Sequence, residues 1–570
     1  MTLWSFVESK GNSKFRGFGL SLIILSYALY FFNPVEVIKS AKLTFVEGSF
    51  LYQLWQKPPV KLYINVYMFN ITNSERFLSG EDEKIHVEEV GPYVYWEELV
   101  HENITFNDNG TISYIPRRKM HFDHELSISN PEVDHLFVPN LPLLGFSSLL
   151  KDSPMVVNMF FESLVEYLDS KPILNLTAHD FLWGYDDKLV SLASKMLPSW
   201  IDFTRFGMLE RMLNEGTNVV TMNLPSDDEN RRPYTIDEFN GSLNLSQWID
   251  KKHPDEPNHC NLEKATEGVV YPRHITPDMN FPLYRKAFCR TLLLEFSSVG
   301  DTDDGYEVNY YKFSHKAFNS SMENNSCYCK NGECLPAGLS DLSPCYYNIP
   351  VAVSFPHFYD GDPSLVGKID GISPEREKHE SVMAIQPDIG IPLMINTRLQ
   401  LNLVVNTKER NNRARKFDGL TLPVFWVHLE VKKLPESLVN LLFLCFCLGP
   451  LLLKMVILLL ALVGITLIIL PSVRSSVGKN KGVTWSICCS RRYDRNLGHQ
   501  KGDRGDCKGQ CGANCMLVSD GDDIVKGCEI VNTVVITEKK KSANNRAYSP
   551  LTVIVPKPFF KPNYDDTRGR

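Results

Sequence analysis

Two apolar segments near opposite ends of the chain bracket a long polar stretch that holds every N-x-[ST] sequon in the sequence, and this fixes a topology before any fold is considered. The first segment runs from residue 17 to 38, with a break at Asn33-Pro34, and is close to the length that one helical crossing needs. Lys10, Lys14 and Arg16 precede it against a single Glu8, while Glu36, Lys39, Lys42 and Glu47 mix on the far side. That bias places residues 1–16 in the cytoplasm. A cleaved signal peptide is the competing reading, with Ser40-Ala41 the nearest small-residue site. The second segment, 438 to 470, is interrupted by Gly449-Pro450 and is too long for one straight crossing. Residues 438–450 read as a membrane-proximal apolar approach and 451–470 as the span, with Lys454 near one end to snorkel. Arg474, Lys479 and Lys481 follow, so 471–570 is a cytoplasmic tail.

The ectodomain is then 39–437. Its sequons are Asn70, Asn103, Asn109, Asn175, Asn240, Asn244, Asn319 and Asn324, which imply a glycan-clothed lumenal or extracellular surface. Six cysteines (Cys260, Cys289, Cys327, Cys329, Cys334, Cys345) lie in its second half. An even number in an oxidising compartment suggests three disulfides, although spacing leaves fifteen pairings open. A zinc reading of Cys327, Cys329 and Cys334 lacks a matching histidine or second cysteine pair.

Between the spans, Lys61 to Phe69, Tyr306 to Phe313, Pro350 to Phe355 and Leu399 to Val405 alternate apolar and polar residues and are rich in β-branched and aromatic types, the marks of half-buried strands. Met155 to Leu168 instead sorts into apolar columns and one polar column at helical spacing. A second helical region is expected from Ala178 to Phe181 and again over Trp200 to Leu213. The pattern is α+β: a mainly β core with a helical cap inserted between strands.

Several stretches, in order, carry a family resemblance: LTFVEG from Leu43, YMFNITN from Tyr67, EVGPYVY from Glu89, FLWGY from Phe181, Cys289-Arg290, Cys327-Tyr328-Cys329, SFPHF from Ser354 and QLNLV from Gln400. As a set, over residues 10 to 475, they resemble the class B scavenger receptors, a family that includes the fatty acid translocase, the high-density-lipoprotein receptor, the lysosomal integral membrane protein and insect sensory neuron membrane proteins. The resemblance implies an antiparallel β-barrel core, a membrane-distal helical bundle and an internal hydrophobic tunnel. It also implies lipid or lipoprotein-particle ligands, with a lipid-carrier protein as a further partner, and passage of fatty acid, sterol or carotenoid to the bilayer. Such a tunnel spares an insoluble ligand about 0.8 kcal/mol per CH₂ of contact with water. The family's disulfide pairing would join Cys260 to Cys327, Cys289 to Cys345 and Cys329 to Cys334.

The helix at Met155 to Leu168 falls where the family meets its ligands, which makes Phe160, Phe161, Leu164 and Lys171 the candidate ligand-binding residues, against the alternative that the apolar three only pack the bundle. Some fatty-acid-binding members carry two lysines near the positions of Tyr167 and Asp169; here Lys171 is the neighbouring cation, beside Glu162, Glu166 and Asp169. In the tail, Cys488 and Cys489 beside Arg491-Arg492 are candidate palmitoylation sites, and Tyr548 with Leu551 fits a tyrosine-based sorting signal. Arg504-Gly505-Asp506 lies on the cytoplasmic side, where it meets no integrin.

No catalytic motif, metal constellation or cofactor fingerprint is present, and a net charge of −7 gives no basic face for nucleic acid. The expected protein is a non-enzymatic, cofactor-free scavenger receptor of the plasma membrane with two spans and cytoplasmic termini, compatible with a homo-oligomer. The alternatives are a sorting receptor for a protein cargo in the lysosomal or endosomal membrane and, further off, a two-span ligand-gated channel, whose pore helix would need more polar residues than 451–470 supplies.

Overall fold

The computed structural model describes residues 3–477 apart from 215, 227–230, 249–259, 304, 320–322, 330–332, 408–410 and 433. Among the described residues, two helices are long and apolar enough to cross a membrane, Lys14–Lys42 and Gly449–Leu470. The first is helical from Leu3 to Phe32, turns at Asn33 with a left-handed φ of 36°, and resumes over Pro34–Lys42, because Pro34 has no N–H to continue the ladder yet suits the first position of a new helix. The second belongs to a longer helical run: Glu436–Leu442, a π-helical stretch Phe443–Leu448, then Gly449–Val477. Leu438 and Leu442 are buried against Leu43, Val308 and Leu393, and Tyr306 Oη donates to the Val439 carbonyl at 3.1 Å. The start of the apolar approach is thereby docked on the ectodomain.

The two spans touch backbone to backbone. A Cβ on Gly464 would lie 2.7 Å from the Gly19 carbonyl oxygen, and one on Gly19 would lie 2.7 Å from that of Gly464. Ser26 Oγ donates to the Ile457 carbonyl at 3.0 Å. In hydrocarbon there is no hydrophobic gain from bringing helices together, so close approach and interhelical hydrogen bonds carry the association. Gly464→Ile is expected to force the spans apart and destabilise the full-length chain by about 1–3 kcal/mol, as overpacking does. The midpoint of unfolding in bilayer nanodiscs checks this, and an unchanged midpoint would refute the contact.

Among the described residues the main sheet has fourteen strands, and eleven of them form its continuous path: β1 Leu62–Ile71, β2 Ile85–Phe106, β3 Thr111–Phe122, β4 Val220–Asn223, β5 Ile236–Phe239, β6 Phe281–Arg285, β7 Arg290–Asp301, β8 Glu307–Phe313, β9 Val382–Gln386, β10 Ile391–Val404 and β11 Thr421–Glu430. Their order in space is β6-β7-β8-β9-β10-β11-β1-β2-β3-β4-β5, so each strand pairs with its neighbours in sequence except β5 with β6, and the last pairs with the first. All these pairings are antiparallel. The two ends of the path are joined by one short segment: Ile236 N–H donates to the Ala265 carbonyl, Thr266 N–H to Pro282, and Tyr284 N–H to Thr266. Ala265-Thr266 therefore closes the sheet into a barrel. The β11–β1 register sets Tyr63 opposite Glu430, which brings the chain into and out of the barrel at one rim, beside the paired spans.

That rim is filled by the short helix Phe50–Gln56, capped by Ser49. Its Trp55 stacks on His101 of β2 and meets Tyr114 of β3 edge-on. The long connection from β3 to β4 forms the cap, with helices Leu141–Leu149, Met155–Tyr167, Ala178–Trp183, Lys188–Met196 and Met208–Leu213. Leu143, Phe146, Phe161, Val165 and Leu189 form its core.

The helix expected over Trp200 to Leu213 is a correction: only Met208–Leu213 is helical. Ile201 and Phe203 are buried while Asp202 and Thr204 are exposed, a period of two, and Arg205–Phe206 pairs with Tyr185–Asp186. Gly207 backs onto the main chain of Trp183 and Gly184, where a Cβ would meet a carbonyl carbon at 2.4 Å. The helix that stands here instead is Lys188–Met196, whose cap Asp187 accepts from the N–H groups of Leu189 and Val190.

Candidate functional site

The cap helix presents its apolar residues to two environments. Phe161 and Val165 are buried in the bundle and Leu164 is half-buried against it, whereas Phe160 is 63% exposed together with Met155, Val156 and Met159. Of the sequence candidates, Phe160 thus faces solvent, Phe161 belongs to the core and Leu164 lies between them. Lys171 is exposed, and its carbonyl accepts from Asn140 Nδ2 at 2.8 Å. The acidic residues beside it are partly engaged: Asp169 pairs with Arg413 at 3.2 Å, and Glu162 accepts from the Asn412 N–H.

Alternation along the strands decides what lines the barrel. Tyr95 lies opposite Phe122, Glu97 opposite Met120 and Leu99 opposite Arg118, and these side chains share the inner face with Leu62 and Ile64 of β1. Two cavities open along this face. One, of about 310 Å³, is lined by the apolar Tyr95, Met120, Phe122 and Trp183 and by the polar His124, Asn130, Glu132 and His179. The other, of about 110 Å³, lies at the rim next to the spans and is walled by Leu51, Leu54, Leu62, Leu99, Ile395 and Leu438, with Glu97 and Arg285 as its charged members.

A buried polar layer runs from the wall of the lower cavity to the rim helix. Glu97 and Arg118, 7% and 5% exposed at the side chain, form an ion pair at 2.5 Å. Tyr114 Oη donates to Glu267 Oε2, and His101 Nδ1 donates to the Trp55 carbonyl at 2.8 Å. Burial, reinforced by the nearby Arg118, pushes the His101 imidazole down to about 3. Burial, with Glu267 alongside, pushes the Tyr114 phenol well up. The spacing of Tyr93, Tyr95, Glu97 and Leu99 already held a signal for this layer, an acidic residue in phase with the inward positions of a strand, which the sequence reading passed over.

On the outer wall, EVGPYVY and SFPHF meet. His357 Nδ1 accepts from the Ser373 N–H, which leaves Nε2–H to donate to Glu89 at 2.9 Å, and Trp426 Nε1–H donates to the same carboxylate oxygen at 2.6 Å. Burial works to raise the Glu89 carboxyl, but these two donors outweigh it and hold it below its usual range. His379 stacks on His357 at 4.6 Å, and burial, with His357 next to it, lowers it to about 4. Glu89 and His357 brace the wall, while Tyr95, at the other end of EVGPYVY, lines the upper cavity.

Bridges join Cys260 to Cys327, Cys289 to Cys345 and Cys329 to Cys334, with Cα separations of 5.7, 6.1 and 4.6 Å. Asn103, Asn109, Asn175, Asn240 and Asn244 are exposed, and Asn70 and Asn319 are half-buried. The side chain of Asn324 lies outside those described, as do Cys488, Cys489, Tyr548 and Leu551.

Comparison with known proteins agrees with this geometry. The model of the CD36 family matches residues 17–474. The chain is 30% identical over 395 residues to scavenger receptor class B member 1 of Sus scrofa, covering 69% of this chain and 74% of that protein. It is 29% identical over 411 residues to lysosome membrane protein 2 of Homo sapiens, covering 72% and 83%. The mouse scavenger receptor class B member 1 is 28% identical over 416 residues, covering 72% and 78%.

Proposed function

Since the chain belongs to the CD36 family, we propose that it is a two-span receptor that takes lipid from a particle or carrier at its cap and passes it through the barrel to the bilayer. The observation that carries this reading is the pair of cavities on the inner face of the barrel, the lower one walled in part by Leu438 beside the second span. An apolar passenger moving between them is sheltered from water and arrives where the spans enter the membrane. The work is that of a receptor and conduit, not of an enzyme, and its cargo is drawn from fatty acids, sterols or carotenoids. The relatives named for scavenger receptors favour the cell surface, with glycans on the exposed sequon asparagines.

Filling the lower cavity is the direct test. Leu99→Trp is expected to cut lipid uptake at least about tenfold, a barrier change near 1.4 kcal/mol, with surface delivery and particle binding unchanged. Uptake that stays at the wild-type level would refute the conduit.

A second reading rests on a different observation. Met155, Val156, Met159 and Phe160 form an exposed apolar patch on one cap helix, which suits docking of a protein, and the similarity to lysosome membrane protein 2 is nearly as high as that to the scavenger receptors. In that case the chain is a sorting receptor for a protein cargo. Substituting Phe160 with Glu would then abolish cargo capture and leave lipid uptake intact.

A further inference from the structure

The two cavities meet β2 at neighbouring inward positions. On β2 the inward positions run Tyr95, Glu97, Leu99: Tyr95 lines the upper cavity and Glu97 and Leu99 the lower one, with Glu97 at the step from one to the other and locked to Arg118 of β3. Glu267, held by Tyr114, and Arg285 complete the layer, so two carboxylates and two guanidinium groups stand together beside a lower cavity whose other walls are apolar. A hydrocarbon tail with no polar head has nothing to offer these groups, and moving it past them either strips the ion pair of its surroundings or pulls it apart. A carboxylate head is different, because the guanidinium has five donors in a planar fork and can accept a second carboxylate as the first moves aside. Arg285, on the wall of the lower cavity, then offers the next cationic partner.

We propose that the Glu97–Arg118 ion pair is the selectivity element of the conduit, admitting single-chain lipids with a carboxylate head and retarding lipids whose head is neutral. The proposal rests on the conduit reading above and assigns its specificity to two residues that no sequence motif marks.

The test uses the full-length chain in proteoliposomes, supplied from donor particles with a pyrene-labelled long-chain fatty acid or with the methyl ester of the same acid. The wild-type protein is expected to transfer the acid at least about tenfold faster than the ester, a difference near 1.4 kcal/mol. Glu97→Met with Arg118→Met replaces the pair by apolar side chains of similar length and is expected to erase the preference. Glu97→Gln removes the competing carboxylate while keeping the bulk, and is expected to raise binding of the acid and leave that of the ester unchanged. The single variant keeps the question open to refutation should the double variant fail to fold. Transfer that persists with the wild-type preference in both variants overturns the assignment and leaves the conduit standing. A wild-type protein that transfers neither probe overturns both.

Discussion

Lowering the pH from 7 to 5 is expected to destabilise the ectodomain by several kcal/mol. Three buried imidazoles account for this. Burial holds His101 at about 3, with Arg118 and Arg285 adding to the effect; it holds His379 at about 4, with the neighbouring His357 in the same sense; and it holds His428 at about 3, with Arg398 and Lys432 beside it. Each folded-state value lies below the unfolded 6.5. Between those limits the unfolded chain binds protons that the folded chain does not, so stability falls as the pH drops through 6.5 and continues to fall toward 4. A single imidazole kept fully neutral at pH 5 costs about 2 kcal/mol on this account, and the three together on the order of 3–5 kcal/mol once partial burial is discounted. Glu89 acts in the same direction, since its lowered carboxyl also loses its advantage on acidification. Thermal unfolding of the full-length protein between pH 7 and 5 checks the slope, and His379→Gln should flatten it. A midpoint independent of pH would refute the account of these buried groups. The result also bears on residence: steep acid weakening suits the cell surface better than a lysosome.

Loss of the Cys260–Cys327 bridge is expected to cost about 4 kcal/mol, the loop-closure value for a disulfide spanning 67 residues. The position makes the loss local as well as global. Cys260 leads into Ala265-Thr266, and there the barrel is joined by single backbone hydrogen bonds to Ile236, Pro282 and Tyr284, whereas elsewhere whole strands pair. Freed from its anchor, this segment would peel away and expose the edges of β5 and β6, which are templates for pairing with another chain. The Cys260→Ser, Cys327→Ser double variant should therefore show faster hydrogen exchange at the Ile236 and Tyr284 amides before the rest of the barrel, and should aggregate. Exchange that rises evenly through all strands would rule out the seam as the weak point.

What could be read from the sequence follows the range of the forces involved. The strands β1 and β8 announce themselves through local alternation, and their observed bounds fall within two residues of the expected ones. The two spans are legible because a bilayer imposes length and charge rules on a single segment. Phe160 and Phe161 illustrate the limit: the helix was plain, but only packing against Leu143 and Leu189 decides which of the two neighbours turns inward. The helix expected from Trp200 forms only from Met208, because Trp200, Ile201, Phe203 and Phe206 at mixed spacing satisfy a helix locally, while the pairing of Arg205–Phe206 with Tyr185–Asp186 is tertiary. Closure by Ala265-Thr266 has no local signature at all, since two residues that bridge two distant strands leave no period to detect.

The pairing of the first strand with the last has a consequence for proteolytic shedding. A receptor held by one span is released into solution by a single cut near the membrane. Here both ends of the barrel are tethered, and the strands flanking any cut in a loop stay hydrogen-bonded to their neighbours. One nick leaves the whole ectodomain in place, and a soluble decoy requires cuts on both sides of the barrel, between the first span and β1 and between β11 and the second span.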